Sequence, residues 1–210
     1  MRKLDADRHE EKRQEILAAA GRCFERSGLK GASIADICRE AAISPGHLYH
    51  YFESKDEIVA TLSGAWLDTI SERFERLLAR ESGIVSALVT EIGKLAPSEP
   101  NSRSKLIFEL LAESTRNADI AAVLQAHSRR LRTMVVNVLR QAQERGKIDP
   151  ALDAETTAAA MIAMIDGVKA LALRDPRLDR RKVVDMIQGL FSTMLEHGAA
   201  TPADPPGRVR

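Results

Sequence analysis

Residues 33–55, SIADICREAAISPGHLYHYFESK, place three helix starts in close succession, and that leaves few folds open. Ser33 followed by Asp36 is a capping-box pattern, in which side chains satisfy the free amides of a new helix. Ser44 before Pro45 sets a hydroxyl N-cap ahead of a proline at the first helical position, where its missing N–H costs nothing. Ser54 and Glu57 form a second capping box. The chain therefore begins a short helix at Ser33, turns at 41–43, begins another helix at Ser44, and leaves it through 51–53 into a third. Two short helices joined by a tight turn are a helix-turn-helix, whose second helix can enter a DNA major groove.

The second helix has two kinds of position. Leu48 and Phe52, four apart, can form a small core with Ile34, Ile37 and Ile43. Gly46, His47, Tyr49, His50 and Tyr51 are left to face outward. Glycine lets another backbone approach closely, and His and Tyr offer hydrogen bonds and flat faces. A solvated helical hairpin that packs its aromatics and binds nothing meets the same spacing, so the pattern alone leaves both readings open.

Composition narrows the rest. Aromatics make up only 4% of the 210 residues, while Ala, Leu and Arg abound, which favours helix over sheet. A hydrophobic share of 44% suits a soluble globular chain of one or two domains with a real core. No apolar run approaches the roughly 18 residues that span a bilayer. The charged start, MRKLDADRHEEKR, is no secretion signal, so a cytoplasmic protein is expected. Cys23 and Cys38 read as two reduced core thiols; neither belongs to a CxxC pair, so no metal or cofactor is expected. Charge does not announce DNA. Residues 1–60 hold ten Lys/Arg against eleven Asp/Glu, and the whole chain is +1. Specific binding would have to rest on local placement of Arg2, Lys3, Arg8, Lys12, Arg13 and Lys55.

Taken in order, residues 1–8 read as a mobile arm and 9–27 as a first helix that Gly28 stops. After the helix-turn-helix, a long helix runs over 54–80 with an apolar stripe, ended by Gly83. Further helices follow at 84–95, 105–116, 118–145, 153–173 and 179–197, with a Pro-containing loop at 94–104. Glycines 146 and 198 cap two of them. The expected fold is all-α, about nine helices, with an N-terminal three-helix head and a C-terminal bundle. The expected domains are 1–53, 54–198 and a disordered tail at 199–210.

The run Ser44-Pro45-Gly46-His47-Leu48-Tyr49-His50-Tyr51-Phe52-Glu53-Ser54-Lys55 resembles the DNA-binding segment of the tetracycline-repressor (TetR/AcrR) family of bacterial transcriptional regulators. Ile16 to Ala20, Phe24, Gly28, Asp36 and Ile37 fall where that family's first two helices would have them. The close match covers 12–58; the remainder matches only in length and helical pattern. The resemblance implies that Pro45, Gly46, His47 and Tyr51 lie nearest the bases. It implies that Tyr49 gives its hydroxyl to a phosphate while Ser33 and Lys55 grip the backbone, with Ser44 and His50 in the same DNA-binding set. Two departures stand out. Ala42 replaces the usual turn glycine, and Ala32 replaces a common threonine, removing a phosphate or capping contact. Pro45 lacks a donor, so fewer bases are read by direct hydrogen bonds.

The resemblance also implies a homodimer on a palindromic operator of double-stranded DNA, and a small-molecule effector that is largely apolar. The last two helices would form a four-helix bundle with a second copy through Ala158, Ile162, Ile165, Val184, Ile187, Phe191 and Met194. Ordinary core explains the same small and apolar residues. The effector would be enclosed by Trp66, Ile70, Phe108, Leu111, Leu124, His127, Leu131, Met134, Met161 and Ile165, although plain core explains any one of these. Glu109 and Glu113 read as a solvated face and Asp166 as a helix contact; one of them turned inward would favour a cationic ligand. The leading functional reading is a ligand-responsive repressor and no enzyme. An all-helical enzyme has no Ser/His/Asp order, metal spacing or phosphate loop behind it. A ligand-independent DNA-binding dimer would need a filled core without a cavity.

Overall fold

The helix starts form where the side chains require them. The computed structural model describes residues 2–96, 102–175 and 177–196. The middle of the 94–104 loop, the Gly198 cap and the 199–210 tail lie outside the described residues. Among those described there are nine α-helices and no strand. They are α1 (Arg2–Gly31), α2 (Ile34–Glu40), α3 (Pro45–Leu48), α4 (Lys55–Leu78), α5 (Ile84–Gly93), α6 (Ser102–Ser114), α7 (Ala118–Glu144), α8 (Ala154–Arg174) and α9 (Arg180–Glu196). Helix α1 extends back to Arg2, so the segment read as a mobile arm is helical. Nothing before Gly21 breaks a helix, and Lys12–Glu15 and Gln14–Glu10 pair along its surface at 2.6 and 2.7 Å. At Gly28 the backbone leaves the helical conformation, with φ 71° and ψ 175°, as expected of a stop, and one further turn follows beyond this kink.

The chain forms two compact units. The first comprises Met1–Ile70 and Pro100–Arg130, the second Ser71–Glu99 and Leu131–Arg210. In the first, Ile16, Leu17, Ala20 and Phe24 of α1 share a core with Ile37 and Cys38 of α2. Leu48, Phe52 and Ile58 close it from below, and Leu110 of α6 and Ile120 of α7 complete it. Both cysteines are buried and free, and burial pushes both thiols up. The turn after α2 is a Schellman motif: Ile43 N–H donates to the Cys38 carbonyl at 3.0 Å and Ala42 N–H to that of Arg39 at 3.3 Å. Its left-handed position, usually glycine, is Ala42 at φ 52°.

In the second unit, α5, α8 and α9 pack on one another. Leu88, Ile92, Ala158, Met161, Ile165, Val168, Phe191 and Leu195 are buried there. The Gln188 amide donates to the Val89 carbonyl at 3.2 Å and ties α9 to α5. Arg73 donates through Nε to Glu91 at 2.6 Å, and Lys94 pairs with the same carboxylate at 2.6 Å. Burial raises the Glu91 carboxyl, but the bonds and charges of Lys94 and Arg73 outweigh it and hold it below the usual range. By length and composition α8 is apolar enough to cross a membrane, contrary to the reading of the sequence. Here it is a core helix that alternates buried and exposed apolar residues.

A Cβ at a left-handed position costs about 1 kcal/mol. Ala42→Gly is therefore expected to stabilise the protein by about that amount, read from the urea midpoint.

Candidate nucleic-acid interface

The starts of α2, α3 and α4 are each capped by a serine. Ser33 Oγ accepts from Asp36 N–H at 3.1 Å and donates to Asp36 Oδ2 at 2.6 Å, while Ser33 N–H donates to the same oxygen at 3.0 Å. The Ser33 hydroxyl, its amide and the Arg39 guanidinium pull the Asp36 carboxyl down to about 2. Ser33 is thus spent on its own helix, and a carboxylate stands beside it. Ser44 Oγ accepts from His47 N–H at 3.2 Å, starting α3 at Pro45. Ser54 Oγ accepts from Glu57 N–H at 3.1 Å, and Glu57 reaches back to Glu53 N–H at 2.6 Å.

Leu48 and Phe52 are buried at 0% and 1% exposure, so the opposite side of α3 must face solvent. Ser44, Pro45, Gly46, His47, Tyr49 and His50 are all exposed, Tyr49 by 53%. A Cβ on Gly46 would meet nothing within 4 Å, so its surface is open to an approaching ligand. Tyr51 is half-buried and lies against two imidazoles. Its ring stacks on His9 of α1 at 4.6 Å and tilts against His47 at 5.5 Å, and His50 stands 6.4 Å from His47. The structure thus leaves Pro45, Gly46, His47, Tyr49 and His50 exposed and joins His47, His50, Tyr51 and His9 in one cluster of rings.

Lys55 is placed differently from the phosphate-gripping role. Its Nζ donates to the carbonyls of Leu29 at 2.7 Å and Ala32 at 3.1 Å, and the side chain is half-buried. Reaching a phosphate would mean leaving both carbonyls. Arg13 is committed as well: it lies over the Phe52 ring at 4.9 Å and donates to Thr61 at 3.3 Å. Lys12 pairs with Glu15. The side chains of Arg2 and Lys3 lie outside the described residues. Arg22 and Arg26 both hold Glu40, at 2.7 and 2.6 Å, and their hydrogen bonds depress that carboxyl. His9 was missed by local motif reading, although it continues the helical stripe of Ile16, Leu17 and Ala20 by two turns.

The residues named for an effector divide between the two units. Trp66, Ile70, Phe108, Leu111, Leu124 and His127 belong to the first, and Leu131, Met134, Met161 and Ile165 to the second. Trp66 stacks on His127 at 4.7 Å and 17°, both half-buried. Leu124 packs on the head core, Leu111 is 49% exposed, and Phe108 and Met134 are half-buried. Ile70, Leu131, Met161 and Ile165 are core residues of their units. Of the residues named for a partner subunit, Ala158, Ile165 and Phe191 are fully buried in the chain's own core. Their side chains already have neighbours within the chain. Ile162, Val184 and Ile187 are half-buried, and Met194 is exposed beside Met186 and Leu190.

Two measurements follow from this geometry. Lys55→Met removes a charged donor from two carbonyls and should cost about 2 kcal/mol of stability in urea. The Asp36 carboxyl is depressed in the folded state, so its contribution is complete above the ordinary value of 3.8 and disappears as pH falls towards about 2. Asp36→Asn should accordingly flatten the acid limb of a stability-versus-pH curve over that window.

Residues 16–62 match the family model described as bacterial regulatory proteins, tetR family, and residues 85–196 match the BetI-type transcriptional repressor C-terminal model. The regulator UidR of Escherichia coli (strain K12) is 34% identical over 164 residues, covering 75% of this chain and 80% of UidR. The repressor KstR2 of Mycobacterium tuberculosis (strain H37Rv) is 28% identical over 69% of this chain and 72% of its own length. The solved structure of Salmonella enterica GusR superposes with a TM-score of 0.73 at 25% identity, over 88% of this chain and 95% of GusR. Bacillus subtilis FadR, solved in complex with stearoyl-CoA, shares the fold at TM-score 0.71 and 16% identity, over 87% of this chain and 98% of FadR. With its capped helix-turn-helix and matches to both family models, the chain belongs to the TetR family of bacterial transcriptional regulators.

Proposed function

We propose that this regulator is a repressor that binds a palindromic operator as a homodimer and is released by a small, largely apolar effector, with no catalytic step. One observation carries the DNA part. The run Pro45, Gly46, His47, Tyr49 and His50 stands exposed along α3 and the turn after it, in a segment whose Leu48 and Phe52 are buried. A reading surface is thereby held rigid by a core behind it. Two such heads related by a twofold axis would meet successive major grooves about 34–36 Å apart. Proposed domains are the head at 1–53, the effector and dimerisation body at 54–198 and a tail at 199–210, acting in the cytoplasm where the operator is. No cofactor or metal is invoked.

The dimer reading is carried by exposed apolar residues and not by the buried ones. Met186, Leu190 and Met194 recur at helical spacing on α9 and are 69%, 52% and 37% exposed. Met164 and Leu171 repeat the pattern on α8 at 37% and 39%. Apolar groups left in water at that spacing suit a second copy of the same pair of helices. For the effector, α4 continues without a break from the head into the body of the chain. A ligand that favours the released state by about 1–3 kcal/mol would suffice to shift it. FadR, which shares the fold, holds an acyl-CoA.

Three outcomes are expected. Met186→Glu with Leu190→Glu should give a monomer by light scattering and weaken operator retention more than tenfold. Tyr49→Phe should weaken binding to all sequences and reduce the salt slope, whereas His47→Ala should relax base preference at one position per half-site. Trp66 is the lone tryptophan, so its emission reports effector binding directly. A molecule that shifts the emission yet leaves operator affinity unchanged at saturation would contradict the release scheme.

A further inference from the structure

The turn that joins α1 to α2 is held from both sides by charged groups of other helices. At the Gly28 kink, the Leu29 N–H donates to the Glu109 carboxylate of α6. The fit is close: a Cβ on Gly28 would lie 2.6 Å from one Glu109 oxygen. One residue on, Lys30 faces Glu113 of α6 at 3.6 Å. From the other side, Lys55 at the start of α4 holds the Leu29 and Ala32 carbonyls. Ala32 is followed directly by Ser33, the N-cap of α2. Helix α6 lies in the same compact unit as α1–α3. Glu109 therefore does not sit on a solvated face, as its sequence context suggested. It is half-buried and bonded to a backbone amide that a kinked helix would otherwise leave without an acceptor.

We propose that Glu109 is a positioning residue for DNA reading: by holding the Leu29 amide at the Gly28 kink, its carboxylate fixes the turn from which α2 and α3 are suspended. The inference rests on the operator binding proposed above. A charge-assisted bond to a backbone amide is short and directional. A shift of α6 must then either carry the turn with it or break that bond. The turn transmits the shift to the Ser33 cap, and the cap orients α2, on which α3 packs. Glu109 touches no part of the reading surface, so its effect on DNA is entirely through this geometry.

The test compares wild type with Glu109→Gln, Glu109→Asp and Glu109→Ala on the DNA fragment upstream of the protein's own gene. Affinity is measured against salt, and amide exchange is followed at Leu29. Glu109→Gln keeps both length and an acceptor oxygen and should stay within threefold of wild-type affinity. Glu109→Asp keeps the charge but is too short, and should lose several-fold. Glu109→Ala should lose tenfold or more, with the salt slope unchanged because no phosphate contact is removed. Leu29 exchange should accelerate at least tenfold in Glu109→Asp and Glu109→Ala but not in Glu109→Gln. If Glu109→Ala does not fold, Glu109→Asp decides. Wild-type binding matched by Glu109→Asp and Glu109→Ala, or Leu29 exchange unmoved in both, overturns the inference alone. Wild-type protein that ignores the fragment overturns the operator reading and the inference with it.

Discussion

Helix α3 has four residues, and a helix that short does not hold itself together in water. What fixes it is the burial of Leu48 and Phe52 beneath α1 and α2, with Ser44 capping its first turn. The rest of the head follows from that anchoring. Because one side of the turn is committed to the core, the other side is committed to solvent. The exposed residues are then presented in one fixed arrangement. Ile16, Phe24 and Ile37 serve the same end from the other side of the core, as do Leu110 of α6 and Ile120 of α7.

The head spends its cations on itself. Arg13 covers Phe52, Arg22 and Arg26 close on Glu40, Arg39 holds Asp36, and Lys55 bridges two carbonyls. Among the described side chains most cations of the head thus have a partner within the protein, and residues 1–60 as a whole hold ten basic against eleven acidic residues. The exposed run around α3 is aromatic and imidazole: Tyr49, His47 and His50, with Tyr51 held between His9 and His47. Such a surface favours recognition by shape and short-range hydrogen bonds over long-range attraction.

The second unit separates two uses of apolar residues that look alike in the sequence. On α8, Ala158, Met161, Ile165 and Val168 pack inward while Met164 and Leu171 remain in solvent. On α9, Phe191 and Leu195 are covered and Met186 and Leu190 are not. Both helices are apolar on more than one side, which is why composition alone would let α8 pass for a membrane segment. One stripe builds the core of the unit, and the other stays exposed.

Local chemistry was legible in the sequence because caps and turns are built from neighbours. Ser33 with Asp36, Ser44 with Pro45, and Ser54 with Glu57 each lie within one helical turn, so their pairing needed no knowledge of the fold. The same holds for Leu48 and Phe52, whose spacing alone puts them on one side. Ala42 could be recognised as a misfit in its turn, although its left-handed backbone had to be seen. Tertiary structure decided every partnership between residues distant along the chain. Lys55 went to the Leu29 and Ala32 carbonyls, Glu109 to the Leu29 amide, and His9 to Tyr51, while Ala158 and Phe191 went into the chain's own core. A sequence fixes which groups must find partners. Which partner each one finds depends on how the helices pack, and that is set by the sum of many apolar contacts and by no single residue.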